Sequence, residues 1–204
     1  MRYSGFRVIR EALTGHKGWG HAWRDATPQA AYDYIIVGGG GHGLATAYYL
    51  AKEFKQARIA VVEKGWIGGG NVGRNTTIIR SNYLLDGNEP FYEFSLKLWE
   101  GLEQDFNYNA MVSQRGIINL FHTDAQRDAY TRRGNAMILH GADAELLNRD
   151  QVRALYPFLN FDNARFPIKG ALAQRRGGTV RHDAVAWGYA RACSAMGMDI
   201  IQQC

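Results

Sequence analysis

The chain has only two cysteines among its 204 residues, Cys193 and Cys204. Cysteines so placed make neither a disulfide framework nor a Cys-x-x-Cys metal pair, which fits a reducing, cytoplasmic compartment. No run approaches the roughly 18 apolar residues that a bilayer-crossing helix needs, so no membrane span is expected. Basic residues outnumber acidic ones by 24 to 19, but they form no Lys/Arg block and no RNA-binding signature. A solvated basic surface with some positions reserved for anionic ligands is expected, and no nucleic-acid partner. His16, His21, His122 and His140 fall at no metal-ligand spacing, so no metal site is expected. Repeats and low-complexity linkers are also missing. Residues 1–31 carry Arg2, Arg7, Arg10, Lys17 and Arg24 with few acids, the charge balance of a transit peptide. However, Gly15, Gly18 and Gly20 interrupt any amphipathic helix, and there is no secretory apolar core. This segment reads as an ordered arm whose Trp19 and Trp23 pack on the body or on another subunit.

Glycine, by contrast, is abundant, and it is concentrated where chemistry would need it. Tyr34-Ile35-Ile36-Val37 reads as a buried strand, rich in β-branched residues and stopped by glycine. Leu44, Ala47, Tyr48, Ala51 and Phe54 then recur at helical spacing, so one face of a helix packs on a sheet. Between strand and helix stands Gly38-x-Gly40-x-x-Gly43. The first glycine permits a tight turn, the second lets a pyrophosphate approach the backbone, and the third lets helix and strand pack closely. The helix N-terminus adds unpaired N–H groups and partial positive charge. Arg58 to Glu63 reads as the next strand, with Glu63 at its end, 20 residues after Gly43. A carboxylate there can accept both hydroxyls of an adenosine ribose.

Which dinucleotide is bound stays open on the turn alone. "KGWIGGGNVGRNTTIIRSNY", residues 64–83, is a second glycine-rich stretch suited to running along the pyrophosphate and flavin of FAD, with Asn71, Arg74, Asn75 and Thr76 as donors. It has no Gly-Lys-Ser/Thr ending, so it is not a nucleotide-triphosphate loop. Gly41 and His42 in the turn, Lys64 after the acidic strand and Ile78 complete the expected cofactor-lining set.

Further along, Pro90 to Leu102 reads as a helix with Phe91, Phe94, Leu98 and Leu102 on its apolar face. Gly116 to Phe121 reads as a strand, and Thr123-x-x-Gln126 as a capping box for a helix reaching about His140. Asn148 caps a shorter helix that stops before Pro157. Gly170 to Ala173 reads as a strand. Val185, Ala186, Tyr189, Ala190 and Cys193 make an apolar stripe on a helix from Asp183 to about Met196, which Gly197 ends before an apolar strand. A strand delivered this close to Cys204 is read as belonging to a longer protein.

The segments "YDYIIVGGGGHGLATAYYLAKEF", "IAVVEKGWIGGGNVGRNTTIIRSNY" and "GGTVRHDAVAWGYARA" resemble the beta subunits of heterotetrameric sarcosine oxidases, within the glycine and D-amino-acid oxidase family of flavoproteins. The resemblance runs through nearly the whole chain. It implies an α/β fold: a Rossmann-like FAD-binding domain in two segments, 32–85 and 165–204, after an N-terminal arm at 1–31. Residues 86–164 would begin an inserted antiparallel substrate domain.

The resemblance also implies non-covalent FAD, FMN held covalently at His182, tetrahydrofolate as co-substrate, NAD on the alpha subunit, and alpha, gamma and delta subunits as partners. A neutral imidazole nitrogen is the nucleophile that attachment at the flavin 8α carbon requires. From the residues alone, a loop histidine such as His182 is more often a surface or capping group than a site residue. Arg80, by resemblance, would hold the carboxylate of a small amine substrate, for which a bidentate guanidinium is suited; a structural ion pair is the other reading. The implied activity is oxidative demethylation of sarcosine. A stand-alone amine or amino-acid oxidase such as glycine oxidase, and a non-catalytic dinucleotide-binding module, are the alternatives.

Overall fold

A computed structural model describes residues 4–83 and 87–204. The boundary expected at 85/86 lies outside the described residues. The chain divides into two compact units, Met1–Gly73 with Ala186–Cys204, and Arg74–Val185.

The first unit opens with α1 (Gly5–Leu13), which sequence reading missed. Ser4 caps it by accepting the Arg7 N–H, and the helix ends at Thr14, just before Gly15. Its one buried residue is Glu11, whose carboxylate accepts the Gly18 N–H at 2.7 Å and so folds the glycine-rich stretch back onto the helix. Trp23 packs edge-on against Trp187, with ring centroids 6.4 Å apart. Trp19 donates to His16 Nδ1 at 3.1 Å, and the Arg7 guanidinium lies 5.8 Å from its ring centroid.

Then come β1 (Tyr34–Val37), α2 (Gly41–Glu53), β2 (Ile59–Glu63) and, after the second unit, β8 (Asp199–Gln202). The three strands form a parallel sheet in the order β1-β2-β8, with Tyr34 opposite Ile59 and Ala60 opposite Asp199. Central β2 is buried at Ile59, Ala60 and Val61. The expectation that β1 is buried is not met: Ile35 is 61% and Val37 86% exposed. A β-branched run marks a strand whether it lies inside or at the rim, and among the described residues β1 is the sheet's edge. Leu44, Ala47, Tyr48 and Ala51 are buried on α2 as their spacing predicts, whereas Phe54 is an exposed C-cap. Tyr48 meets Tyr189 edge to face at 5.7 Å, and the buried Cys193 thiol, pushed up to about 12 by desolvation, lies 3.6 Å from the Leu44 carbonyl.

The second unit contains β3 (Ile78–Ile79), α3 (Glu89–Phe106), β4 (Ile117–Phe121), α4 (Asp124–Leu139), β5 (Glu145–Asn148), α5 (Arg149–Leu155), β6 (Gly170–Gln174) and β7 (Gly178–Thr179). α6 (His182–Ala195) starts in this unit and ends in the first. β4, β6 and β5 form an antiparallel sheet with β6 central and buried along its length; β3 and β7 form a two-stranded ladder. Leu147, Val152, Phe161, Ile168, Ala171 and Ala173 make a hydrophobic core cluster that includes residues of this sheet.

Two local expectations need correction. α3 buries Glu89, Glu93, Leu96 and Leu102, while Phe91 and Phe94 are 69% and 62% exposed, because a hydrogen-bonded network claims the acidic face. At α4, Thr123 does accept the Gln126 N–H, but the Gln126 side chain returns to the His122 N–H, one residue before the cap. Finally, β3, β5 and β7 are too short or too polar to announce themselves by alternation.

Candidate functional site

The glycine turn of the first unit is built as its spacing predicts. Gly38 takes φ +106°, a conformation that side chains disfavour, and its N–H is tied to the Val62 carbonyl at 2.7 Å. A Cβ at Gly43 would collide with the Gly38 carbonyl oxygen, so strand and helix approach as closely as glycine allows. At Gly40 a Cβ would meet only open space. Gly40 is also the N-cap of α2 and has no side chain to offer the helix N-terminus. The first-turn N–H groups and their partial positive charge are therefore left without a side-chain cap, the arrangement that suits an anion. Gly41 lies against Val72 of the 3-10 turn Asn71–Arg74, and the exposed His42 follows it on the first turn of α2.

Glu63 closes the other side of the turn. One carboxylate oxygen accepts the Gly39 N–H at 2.7 Å and the other accepts the Gly65 N–H at 2.8 Å. This clamp joins the ends of β1 and β2, and each oxygen still has a lone pair for a hydroxyl donor. Lys64 beside it is exposed. The residues present thus fit an adenosine diphosphate group: acceptors for ribose hydroxyls at Glu63, and uncapped N–H groups for a pyrophosphate at α2. A separate polar cavity of about 280 Å³ opens near Gly65 and Trp66, lined also by His21, Arg24 and Gln203, and shares no residue with the turn.

In the second unit the β3/β7 ladder orders the remaining candidates. Ile78 pairs with Thr179 and Ile79 with Gly178. Arg80 therefore leaves the ladder at its Gly178 end. His182 leaves at the other end, where the Val180 N–H bonds the Thr77 carbonyl at 2.9 Å. Arg74, Asn75, Thr76 and Ile78 are exposed, and Asn75 Oδ1 spends itself on the Thr77 N–H at 2.7 Å. His182 is the first residue of α6. Its Nδ1 is buried and has no hydrogen-bond partner among the described residues. The flanking Arg181 grips Asp183 with two hydrogen bonds of 2.8 Å and holds that carboxyl below its ordinary range.

Arg80 donates to Asn82 Oδ1 at 3.1 Å, and its guanidinium sits 4.8 Å from the Tyr83 ring centroid. It meets no carboxylate among the described residues. Behind it runs a buried network invisible to sequence reading. The Gln174 amide accepts from the Ser81 N–H at 3.0 Å and donates to Ser81 Oγ and Asp143. Ser81 Oγ donates to Glu93 at 3.0 Å. Arg176 bonds Glu93 and forks onto Glu100 at 2.8 and 2.9 Å. Only the spacing of Glu89 and Glu93, one turn apart on α3, hinted that an acidic face was needed. No group of three potential metal ligands occurs among the described residues, and no helix there is long and apolar enough to cross a membrane.

Comparison with known proteins places this geometry. The chain is 72% identical over its full length to sarcosine oxidase subunit beta of Rhizobium meliloti (strain 1021), covering 49% of that protein. It is 53% identical over 98% of its length to the subunit of the same name from Rhodobacter capsulatus, again covering 49%. The chain thus spans about half the length of the curated relatives it matches. L-proline dehydrogenase from P. horikoshii shares the fold, with a TM-score of 0.78 and 20% identity over 87% of this chain and 45% of that one. Because the family model for FAD dependent oxidoreductases (DAO) matches residues 33–204, taking in the glycine turn, Glu63 and both ends of the β3/β7 ladder, the chain belongs to that family.

Proposed function

We propose that the chain is the nucleotide-binding half of a subunit that oxidatively demethylates sarcosine to glycine. The observation that carries this reading is the Glu63 carboxylate bridging Gly39 and Gly65 beside the uncapped start of α2. The name shared by the relatives at 72% and 53% identity supplies the substrate. FAD is held without a covalent bond by Gly38, Gly40, Gly41, His42, Gly43 and Glu63, with Lys64, Asn71, Arg74, Asn75, Thr76 and Ile78 lining its further course. His182 carries FMN: a partnerless imidazole nitrogen identifies the ring as one whose polar atoms are not consumed by the fold.

The flavins supply hydride acceptance from the N-methyl group, electron transfer from FAD to FMN and reduction of oxygen to hydrogen peroxide, with formaldehyde or methylenetetrahydrofolate as the one-carbon product. The chain's own residues bind and orient. Arg80 holds the substrate carboxylate, its guanidinium backed by Tyr83 and aligned by Asn82. The partners are the alpha, gamma and delta subunits, with NAD on the alpha subunit.

Replacing Arg80 by lysine in the full-length, assembled protein tests the substrate assignment. The KM for sarcosine should rise about tenfold or more through loss of the bidentate fork, with FAD content unchanged. Steady-state kinetics identical to those of the wild type would return Arg80 to a structural role.

A further inference from the structure

Asn82 receives two arginines. Arg80 donates to its side-chain oxygen at 3.1 Å, and Arg133, from the middle of α4, donates to its backbone carbonyl. Asn82 itself is fully buried, yet its Nδ2 has no partner, and neither does the buried Nε of Arg133. The amide orientation is fixed by chemistry: turned over, its NH₂ would confront the Arg80 donor. Each guanidinium has an aromatic ring beneath it, Tyr83 under Arg80 at 4.8 Å and Tyr130 under Arg133 at 5.9 Å. Tyr83 is held in turn by stacking on Tyr92 at 3.9 Å.

The constellation is therefore two cations and an amide NH₂ gathered around one residue, with donors left over. Among the described residues neither cation meets a carboxylate. Burial, followed by the charge of Arg80, pushes the Arg133 guanidinium below its ordinary value. A brace that merely held the Asn82 segment would need one hydrogen bond, not two like charges brought together at a cost in repulsion and desolvation. Buried donors without acceptors call for an acceptor, and paired guanidiniums call for an anion.

We propose that Arg133 and the Asn82 amide form the second arm of a carboxylate site whose first arm is Arg80, and that the occupant is the carboxylate of the amino-acid substrate. This rests on the reading of Arg80 given above and adds to it the neighbouring Asn82 and, from outside the glycine-rich segments, Arg133. The polar environment of Asn82 also explains why the amide is fully buried without being satisfied: its NH₂ is kept for the ligand.

The test uses the full-length protein assembled with its partner subunits. The probe is methoxyacetate, in which an ether oxygen replaces the amine of sarcosine, and its binding is followed by calorimetry. Arg133→Gln should weaken binding about tenfold, the worth of one charge-assisted hydrogen-bonded contact, and raise the KM for sarcosine in parallel with little change in kcat. Arg133→Lys keeps the charge and the stem, so it decides the matter even where Gln disturbs folding; its binding should be weaker than wild type and tighter than Arg133→Gln. Wild-type affinity in Arg133→Gln, or in Arg133→Lys if the Gln variant does not fold, together with weakened binding in Arg80→Lys, would overturn the second arm and leave the Arg80 reading standing. Wild-type affinity in Arg80→Lys, or no binding of methoxyacetate by the wild-type protein, would overturn both. Arg133-dependent binding of inorganic phosphate in preference to methoxyacetate would overturn the carboxylate assignment.

Discussion

Glu63 and Gly40 show how single residues divide the work of the nucleotide turn. Glu63 is a structural clamp in its own right, since it already accepts two backbone N–H groups. Glu63→Ala should therefore lower FAD affinity about tenfold or more and also lower the melting temperature of the cofactor-free protein, because the turn loses both of its charge-assisted bonds. Gly40 separates the two effects. Its φ of −82° suits any residue and a Cβ there meets open space, so Gly40→Val should leave the cofactor-free melting temperature unchanged while FAD binding falls. Titration of FAD into both variants, alongside thermal melts, checks the pair; wild-type affinity in both would remove the turn from the cofactor site. The fingerprint glycines were legible in the sequence because glycine spacing maps directly onto backbone conformation. The clamp made by Glu63 was not, because it depends on where Gly39 and Gly65 meet it in space.

Elements were legible wherever a cap or a stripe was strong. Asn148 illustrates this: its side chain accepts the Gln151 N–H at 3.0 Å while the Gln151 side chain accepts the Asn148 N–H at 2.8 Å, a complete capping box for a helix of only seven residues. Asn148→Ala should cost about 1 kcal/mol of stability, measurable by urea denaturation, and an unchanged midpoint would show that packing of Val152 alone holds α5. At Thr123 the box is opened by one residue, with Gln126 reaching His122 instead. Sequence spacing cannot tell these two apart, because both place glutamine at the same offset. α3 failed in a more instructive way. Phe91 and Phe94 looked like its inner face, but Ser81 and Arg176, distant in sequence, converge on Glu93 and make the acidic side the buried one. Hydrophobic periodicity reads a helix against an apolar neighbour and has no means of seeing a polar one.

At the scale of the whole molecule, chain order is what brings the candidate segments together. The first unit delivers β1 and β2, gives way to the second unit at Arg74, and resumes at Ala186 within α6 to lay β8 beside β2. Arg80 and His182 thus both lie within the second unit, close in sequence to its two ends, and the β3/β7 ladder pairs the strands beside them. That pairing was beyond sequence reading, since two-residue strands leave no pattern, although the resemblance had already singled out both residues. The central claim is that this chain carries two flavins in the full-length subunit, one held by the glycine turn and one bonded to His182. Acid precipitation of the full-length protein, co-expressed with its partners, followed by mass spectrometry of the tryptic peptide spanning residue 182, tests it most directly. The account predicts FAD in the supernatant and FMN retained on the wild-type His182 peptide, with His182→Ala keeping the FAD and losing the acid-stable flavin. An unmodified His182 in a fully assembled, flavin-containing enzyme, or covalent flavin elsewhere on the chain, would contradict it.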